Sequence, residues 1–512
     1  MSRLRTKKVI GSPEQEAFWY ELLNGENHIM LEARAGTGKT FSCIEGCRRY
    51  VRGNPRASIA IVAYNKNIAS ELAVQVPQEV TACTMHSLGF KAIRDYIDGK
   101  VKVNNWKTIN ILEEILGKKE LRKLGKGFQY SMKKVVSLAK NVMVSQDNFD
   151  EDFDSMVAHY NLQLNGDENR IKELLPRVLD KSLPPIEGAT EIDFDDMIWL
   201  PVVMGMPLQK FDMLFIDEAQ DLNKSRQLLA IQSLASEGRL IAVGDPKQAI
   251  YGFAGADAYS MSNLAKELRS DVTQLPLTVS RRCPKKHIKL AQKIVSDILP
   301  MDDAIEGTIL HMPLSKGTTL MEGGDLVLCR MNAPLVKLSY QLIKIDTPVT
   351  IQGRDIGANL VSLCKKLVTD DLSVGMQQFH SLLGDYHIKE IMRLDAKALH
   401  AHVSEVQYAS LTDRVECLRT LMQNDSKGTA LDVVNRIENL FSDNTEVGSS
   451  NKVLLSSVHR AKGLEAHTVF IVEPDKMPHP MATLDWEIAQ EFNIKYVAIT
   501  RSMDTLVFLG DE

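Results

Sequence analysis

Two short stretches carry side chains whose types and order suit phosphate chemistry. In the run AGTGKT, Gly36 and Gly38 let the backbone turn its N–H groups toward anionic oxygens with no Cβ in the way. Ala35 and Thr37 complete the loop. Lys39 can neutralise β- and γ-phosphates, and Thr40 can hold Mg2+ through its hydroxyl. Ala33 stands where the strict pattern has its first glycine. The second stretch, FDMLFIDEAQD, ends an apolar run on Asp217 and Glu218. One carboxylate suits Mg2+, and its neighbour can orient the water that attacks a γ-phosphate. Taken singly, these are a glycine turn before a helix and an acidic loop after a core strand. Taken together, cradle and acids favour a site for a nucleoside triphosphate and Mg2+.

Both stretches need a strand to end at the site and a helix to start there. The apolar runs IMLEA, SIAIVA, MLFID and LIAVG in the first half read as buried strands. DLVLCR, PVTIQG, KVLLSSV, HTVFIV and TLVFLG do so in the second half. Continuous apolar strands between helical patterns imply parallel sheets covered on both faces, hence an α/β protein with two such domains. Two helical stretches break the rhythm and have the size of inserted subdomains. The expected first domain covers 1–90 and 187–277, with 91–186 inserted. The second covers 278–360 and 450–512, with 361–449 inserted.

Composition agrees with a folded chain: 44% of the 512 residues are hydrophobic and 25% charged, which excludes general disorder. No apolar run approaches the roughly eighteen residues of a membrane span. The basic start MSRLRTKKVI lacks a secretory apolar stretch. Seven scattered cysteines fit a reduced, cytoplasmic protein, and Cys43 and Cys47 read as helix packing rather than metal ligands. The net charge of −5 argues mildly against nucleic acid, but binding depends on local basic surfaces. One candidate comprises Lys118, Lys119, Arg122, Lys123, Lys126, Lys133 and Lys134, equally readable as a solvated helix face.

Read in order, the motifs resemble the UvrD/Rep branch of superfamily 1 DNA helicases, from Gln15 to Arg501. The resemblance implies two tandem RecA-like P-loop domains with ATP and Mg2+ at the site. SPEQEAF resembles the adenine-reading motif, with Gln15 as reader. VGDPKQAIYGFAGAD resembles motif III, in which Gln248 senses the γ-phosphate and Asp245 supports the site. SRRCP resembles motif IV and YVAITRS motif VI, with Arg282 and Arg501 on the γ-phosphate. VHRAKGLE resembles motif V, with Gly463 near phosphate, Glu465 near ribose and His459 on the DNA strand.

For the strand itself, VAYNKNIASEL resembles motif Ia of the branch that includes the F-box DNA helicases. There Tyr64 stacks on a base and Lys66 lies near the backbone. CTMHSLGF supplies Thr84 and His86, and Phe253 is a second stacking candidate. Two positions depart from the family. Ala254 stands where an arginine often follows the motif III aromatic. Arg281 stands where an aromatic often stacks on adenine, and a guanidinium can take that place.

The expected function is an ATP-dependent single-stranded DNA translocase and helicase of 3′→5′ polarity. Its partners would be single strands, single/double-strand junctions and single-strand-binding or recombination proteins. It would act as a monomer or weak oligomer away from membranes. Compact inserts and the early stop after TLVFLG suggest a phage-encoded or otherwise stripped-down form, cytoplasmic, in the host cytoplasm if phage-encoded. A protein-stripping translocase, an RNA-directed motor and a non-unwinding ATP switch stay open alternatives, because one set of motor residues serves them all.

Overall fold

The computed structural model describes residues 10–145, 147–160, 162, 164, 167–185, 188, 190–252, 259–268, 271–398, 405–422, 427–442, 451–480 and 482–510. It divides into two units, Met1–Thr278 and Val279–Glu512.

In the first unit the strands are β1 (His28–Ala33), β2 (Ile59–Ala63), β3 (Val80–Thr84), β4 (Val101–Val103), β5 (Thr190–Ile192), β6 (Phe211–Ile216), β7 (Leu234–Gly244) and β8 (Val272–Leu277). Six of them form one sheet in the order β3-β2-β6-β7-β1-β8, every neighbour parallel. Phe18, Trp19, Leu22, Cys43 and Cys47 pack on one face. Met85, Leu88, Ile198 and Leu229 pack on the other. Burial on both faces is why β1, β2, β6 and the end of β7 read as unbroken apolar runs.

A helical segment leaves the sheet after β3 and returns before β6. It holds the helices Lys107–Leu116, Lys118–Val142, Phe149–His159 and Glu168–Ser182, with β4 and β5 paired at its base. Its own core gathers Phe128, Met132, Val135, Leu174 and Val178. The helices that lead in and out, Met85–Tyr96 and Asp196–Val203, cross at Gly89. A Cβ there would lie 1.8 Å from the carbonyl oxygen of Met197, so only glycine permits this approach.

Buried charge fastens the start of the returning helix to the inserted segment. Lys107 Nζ donates to Asp196 Oδ2 (2.7 Å) and to the Ser182 carbonyl (2.7 Å). Lys140 Nζ lies 2.8 Å from both Asp193 Oδ2 and Asp196 Oδ1. Asp196 is fully buried and Lys140 nearly so.

In the second unit the strands are β9 (Val279–Ser280), β10 (Leu299–Pro300), β11 (Thr308–Pro313), β12 (Leu326–Cys329), β13 (Val349–Gln352), β14 (Phe441–Ser442), β15 (Val453–Ser457), β16 (Ala466–Val472) and β17 (Ser502–Gly510). Seven form a second parallel sheet, ordered β11-β17-β16-β12-β15-β13-β14. Between β13 and β14 lie the helices Arg354–Leu367, Met376–Ala398, Glu405–Met422 and Ala430–Leu440. Phe379, Leu418 and Val434 join the helical segment to the core under the sheet. The chain is thus an α/β protein with two RecA-like parallel sheets. Every run read as a strand in the sequence is one, and the two large sheets hold β3, β8, β11 and β14 in addition. No described helix is long and apolar enough to cross a membrane.

Candidate active site

The phosphate loop leaves the C-terminal end of β1 and opens the helix Lys39–Gly53. Gly36 (φ 74°) and Gly38 (φ 86°) are both left-handed, which a side-chain-bearing residue adopts only with strain. Gly38 is the N-cap of that helix, so the first free N–H groups of the helix point into the loop. Ala35 and Thr37 are buried beneath it, and Thr37 Oγ1 donates to the Arg34 carbonyl (2.8 Å).

Across from the loop, β6 delivers Asp217 and Glu218. Thr40 Oγ1 donates to Asp217 Oδ2 (2.9 Å). Lys39 Nζ lies 3.3 Å from Glu218 Oε1. Glu218 itself is left-handed (φ 56°), a cost of about 1–2 kcal/mol for a residue with a Cβ. Such strain at a strand end is typical of a residue aimed by its surroundings. Burial raises the Asp217 pKa to about 6, and the Glu218 charge adds to this while Lys39 opposes it. Burial also pulls the Lys39 ammonium down, but Glu218, Asp245 and Asp217 outweigh it and the pKa is raised. Thr40 and Asp217 present hard oxygen donors with excess negative charge behind them, a set that fits Mg2+.

A second tier of residues ties this pair to β7. Gln220 bridges: its Nε2 donates to Glu218 Oε2 and its Oε1 accepts from Asp245 N (3.0 Å). Asp245 is fully buried and accepts from Gln248 Nε2 (2.7 Å) and Arg34 Nη1 (3.2 Å). Three residues after Gln248, Tyr251 stacks on Tyr64, with ring centroids 5.7 Å apart and planes 9° from parallel. Lys66 is exposed at the start of the neighbouring helix. Thr84 caps the helix Met85–Tyr96 through Ser87, and His86 meets the half-exposed Phe194 edge-on at 6.3 Å. Phe253 lies outside the described residues, as does Ala254.

Gln15 has a structural job. It closes a capping box with Ser12 and donates through Nε2 to Ser42 Oγ (3.0 Å), which in turn bonds the Gly38 carbonyl. Gln15 is thereby coupled to the phosphate loop from behind.

In the second unit, Arg282, Glu465 and Arg501 come together. Arg282 pairs with Glu465 and donates to the Thr500 carbonyl (3.4 Å). Arg501 is buried, with its guanidinium donating to the Val497 (3.0 Å) and Leu464 (3.2 Å) carbonyls. Gly463 is left-handed (φ 90°) with open space where a Cβ would point, and Arg281 is exposed. His459 follows β15 in the same turn.

Both histidines proposed for the strand are neutral at pH 7. Burial, then Arg226, holds His86 down to about 4. Burial, then Arg330, holds His459 down to about 3. A ring whose folded pKa lies below its unfolded value of 6.5 stabilises the fold above that pH and loses the contribution as pH falls toward the folded value. The thermal midpoint should therefore fall between pH 6.5 and 4. His459→Asn should flatten the fall by on the order of a few kcal/mol of stability, measured by calorimetry across that range. An identical slope in wild type and variant would refute a buried neutral His459.

Sequence reading did not single out Arg34, Gln220, Arg226, Phe194 or Tyr251. Only Tyr251 carried a usable signal, as an aromatic inside the motif III stretch.

A phosphate loop facing an acidic pair at the C-terminal edge of a parallel sheet defines a P-loop nucleotide-binding domain. The model of the UvrD/REP helicase N-terminal domain matches residues 14–269, and that of the UvrD-like helicase C-terminal domain matches residues 452–509. The chain belongs to the UvrD/REP helicase family. It is 23% identical over 525 residues to F-box DNA helicase protein 1 of Schizosaccharomyces pombe, covering 95% of this chain and 56% of that protein. It is 22% identical over 522 residues to F-box DNA helicase 1 of Gallus gallus, covering 94% of this chain and 47% of that protein. Against the ATP-dependent DNA helicase PcrA of Leuconostoc citreum it is 26% identical over 266 residues, covering 47% of this chain and 34% of that protein. The chain spans about half the length of the F-box relatives it matches.

Proposed function

We propose that the chain is an ATP-dependent motor that moves 3′→5′ on single-stranded DNA and separates duplex strands. The observation that carries this reading is the segment from Asp245 to Tyr251. One end is bonded through Gln220 to Glu218, and the other stacks on Tyr64. A change in charge at the phosphate site is thus felt, within a few residues, at an aromatic pair suited to grip a base. The names of the relatives, DNA helicases all three, support the same substrate.

In this reading Gly36, Gly38 and Lys39 hold the triphosphate, Thr40 and Asp217 hold Mg2+, and Glu218 takes the proton from the attacking water. Bound Mg2+ would offset phosphate charge. Gln248 stabilises the transferring phosphoryl group, which carries spread negative charge, and the family resemblance gives Arg282 and Arg501 the same role. Glu465 and Gln15 serve the nucleoside. Tyr64, Lys66, Thr84, His86 and His459 serve the strand, as Phe253 would.

The test is ATPase rate with oligo(dT) against a matched RNA, beside strand displacement on duplexes with a 3′ or a 5′ tail. Expected are stimulation by DNA above RNA and unwinding from the 3′ tail. Tyr64→Ala and Tyr251→Ala should each cost about 1–3 kcal/mol of strand affinity. Stronger stimulation by RNA, or unwinding from the 5′ tail alone, would overturn the assignment.

A further inference from the structure

The helix Lys118–Val142 bends at Gly125, which is left-handed at φ 81°. Beyond the bend, Phe128, Met132, Val135 and Val136 turn into the core of the inserted segment. Tyr130, Lys133, Lys134 and Ser137 recur at helical spacing on another face. Two large aromatics stand in water there: Tyr130 is 73% exposed and Trp106 is 67% exposed. Lys133 joins them. Its Nζ lies 5.8 Å from the Trp106 ring and donates to the Asn105 carbonyl (3.0 Å).

This face opens on the stacking pair. Tyr130, Lys133 and Lys134 line one cavity of about 420 Å³ together with Tyr64, Tyr251 and Arg226. Asp195 and Asp221 also line it, and Asp195 accepts a bond from Asn141 (3.3 Å). Those acids disfavour phosphate beside them, and the exposed Lys133 and Lys134 are the cations of the cavity that face solvent, Arg226 being half-buried.

We propose that this face is a second single-strand contact, on which the strand leaving the Tyr64–Tyr251 stack continues over the inserted helices. A base stacks on Trp106 and the Lys133 ammonium meets a phosphate. The proposal rests on the DNA reading above. Aromatic faces interleaved with cations suit unpaired bases. A duplex hides its base faces in its own stack, so it would gain from the lysines alone. A protein partner could use the aromatics, but continuity with the Tyr64–Tyr251 stack favours the strand.

The experiment measures binding of the full chain to fluorescein-labelled oligo(dT) of graded length, over a series of salt concentrations. Trp106→Ala should weaken the long oligonucleotides by about tenfold, the value of one modest stacking contact, and leave the shortest bound one unchanged. Tyr130→Ala should act in the same direction. Lys133→Gln should lower the slope of log affinity against log salt by about 0.7, as one lost phosphate contact does on a single strand. All three side chains are exposed, so unchanged thermal midpoints will verify folding.

Wild-type affinity for long oligonucleotides in both aromatic variants, with Tyr64→Ala weakened, would overturn this surface and leave the motor reading standing. Weakened binding to a blunt duplex with unchanged single-strand binding would overturn it too. No oligonucleotide binding by the wild-type chain would sink both.

Discussion

Glu218→Gln is expected to keep ATP and lose hydrolysis, by about 10²–10⁴-fold, the usual contribution of a positioned proton acceptor. Lys39→Ala is expected to lose both. The difference follows from what each side chain holds. Lys39 is nearly buried and its charge is favoured by Glu218, Asp245 and Asp217. Removing it leaves those carboxylates facing a triphosphate with no cation from the loop. Exchanging Glu218 for its amide keeps the volume and the bond from Gln220 in reach, and releases Lys39 from its 3.3 Å partner for the phosphates. ATP affinity, read with a fluorescent analogue, should therefore hold or tighten in Glu218→Gln. DNA-stimulated turnover, read in a coupled assay, should collapse in both. Turnover within a factor of about two of wild type in either variant would remove the residue from the assigned role.

The second large effect concerns stability. Asp196→Ala removes the one fully buried carboxylate that Lys107 and Lys140 share, leaving Lys140 with Asp193 and Lys107 with the Ser182 carbonyl. Removing one partner of a buried pair costs about 3–5 kcal/mol, since the charge left behind has no water to solvate it. At about 2–4 °C per kcal/mol for a domain of this size, the midpoint should drop by roughly 6–20 °C. Lys140→Met alone should cost less, because Lys107 still holds Asp196. The double variant should fall short of the sum of the single losses, as residues in one network do. A loss below about 1 kcal/mol for Asp196→Ala would show that the cluster fastens nothing.

The strands legible in the sequence are the ones covered on both faces. β2 and β15 are buried at every position; β2 reads as an unbroken apolar run, and β15 opens on Val453, Leu454 and Leu455. β3, β8, β11 and β14 were not legible, and each lies at a sheet edge. An edge strand is less covered and takes polar residues and even proline, as VTQLPL does at Pro276. The phosphate loop and the acidic pair were legible because their chemistry is local: neighbours in sequence act on one atom group. Tyr251 was not, because Phe253 follows it closely in sequence and spacing does not say which one meets Tyr64. Nor was the Lys107–Asp196 pair, whose members stand 89 residues apart and touch only after the helical segment has folded.

The crossing at Gly89 has a mechanical reading. The chain passes to the helical segment beside the strand that ends at Thr84, and comes back along the helix that leads to β6 and Asp217. Both passages are pinned within one carbon's width of each other. A tug on the outlying helices cannot pull one passage without the other. In the proposed motor, a displacement of the inserted helices would therefore reach both passages together.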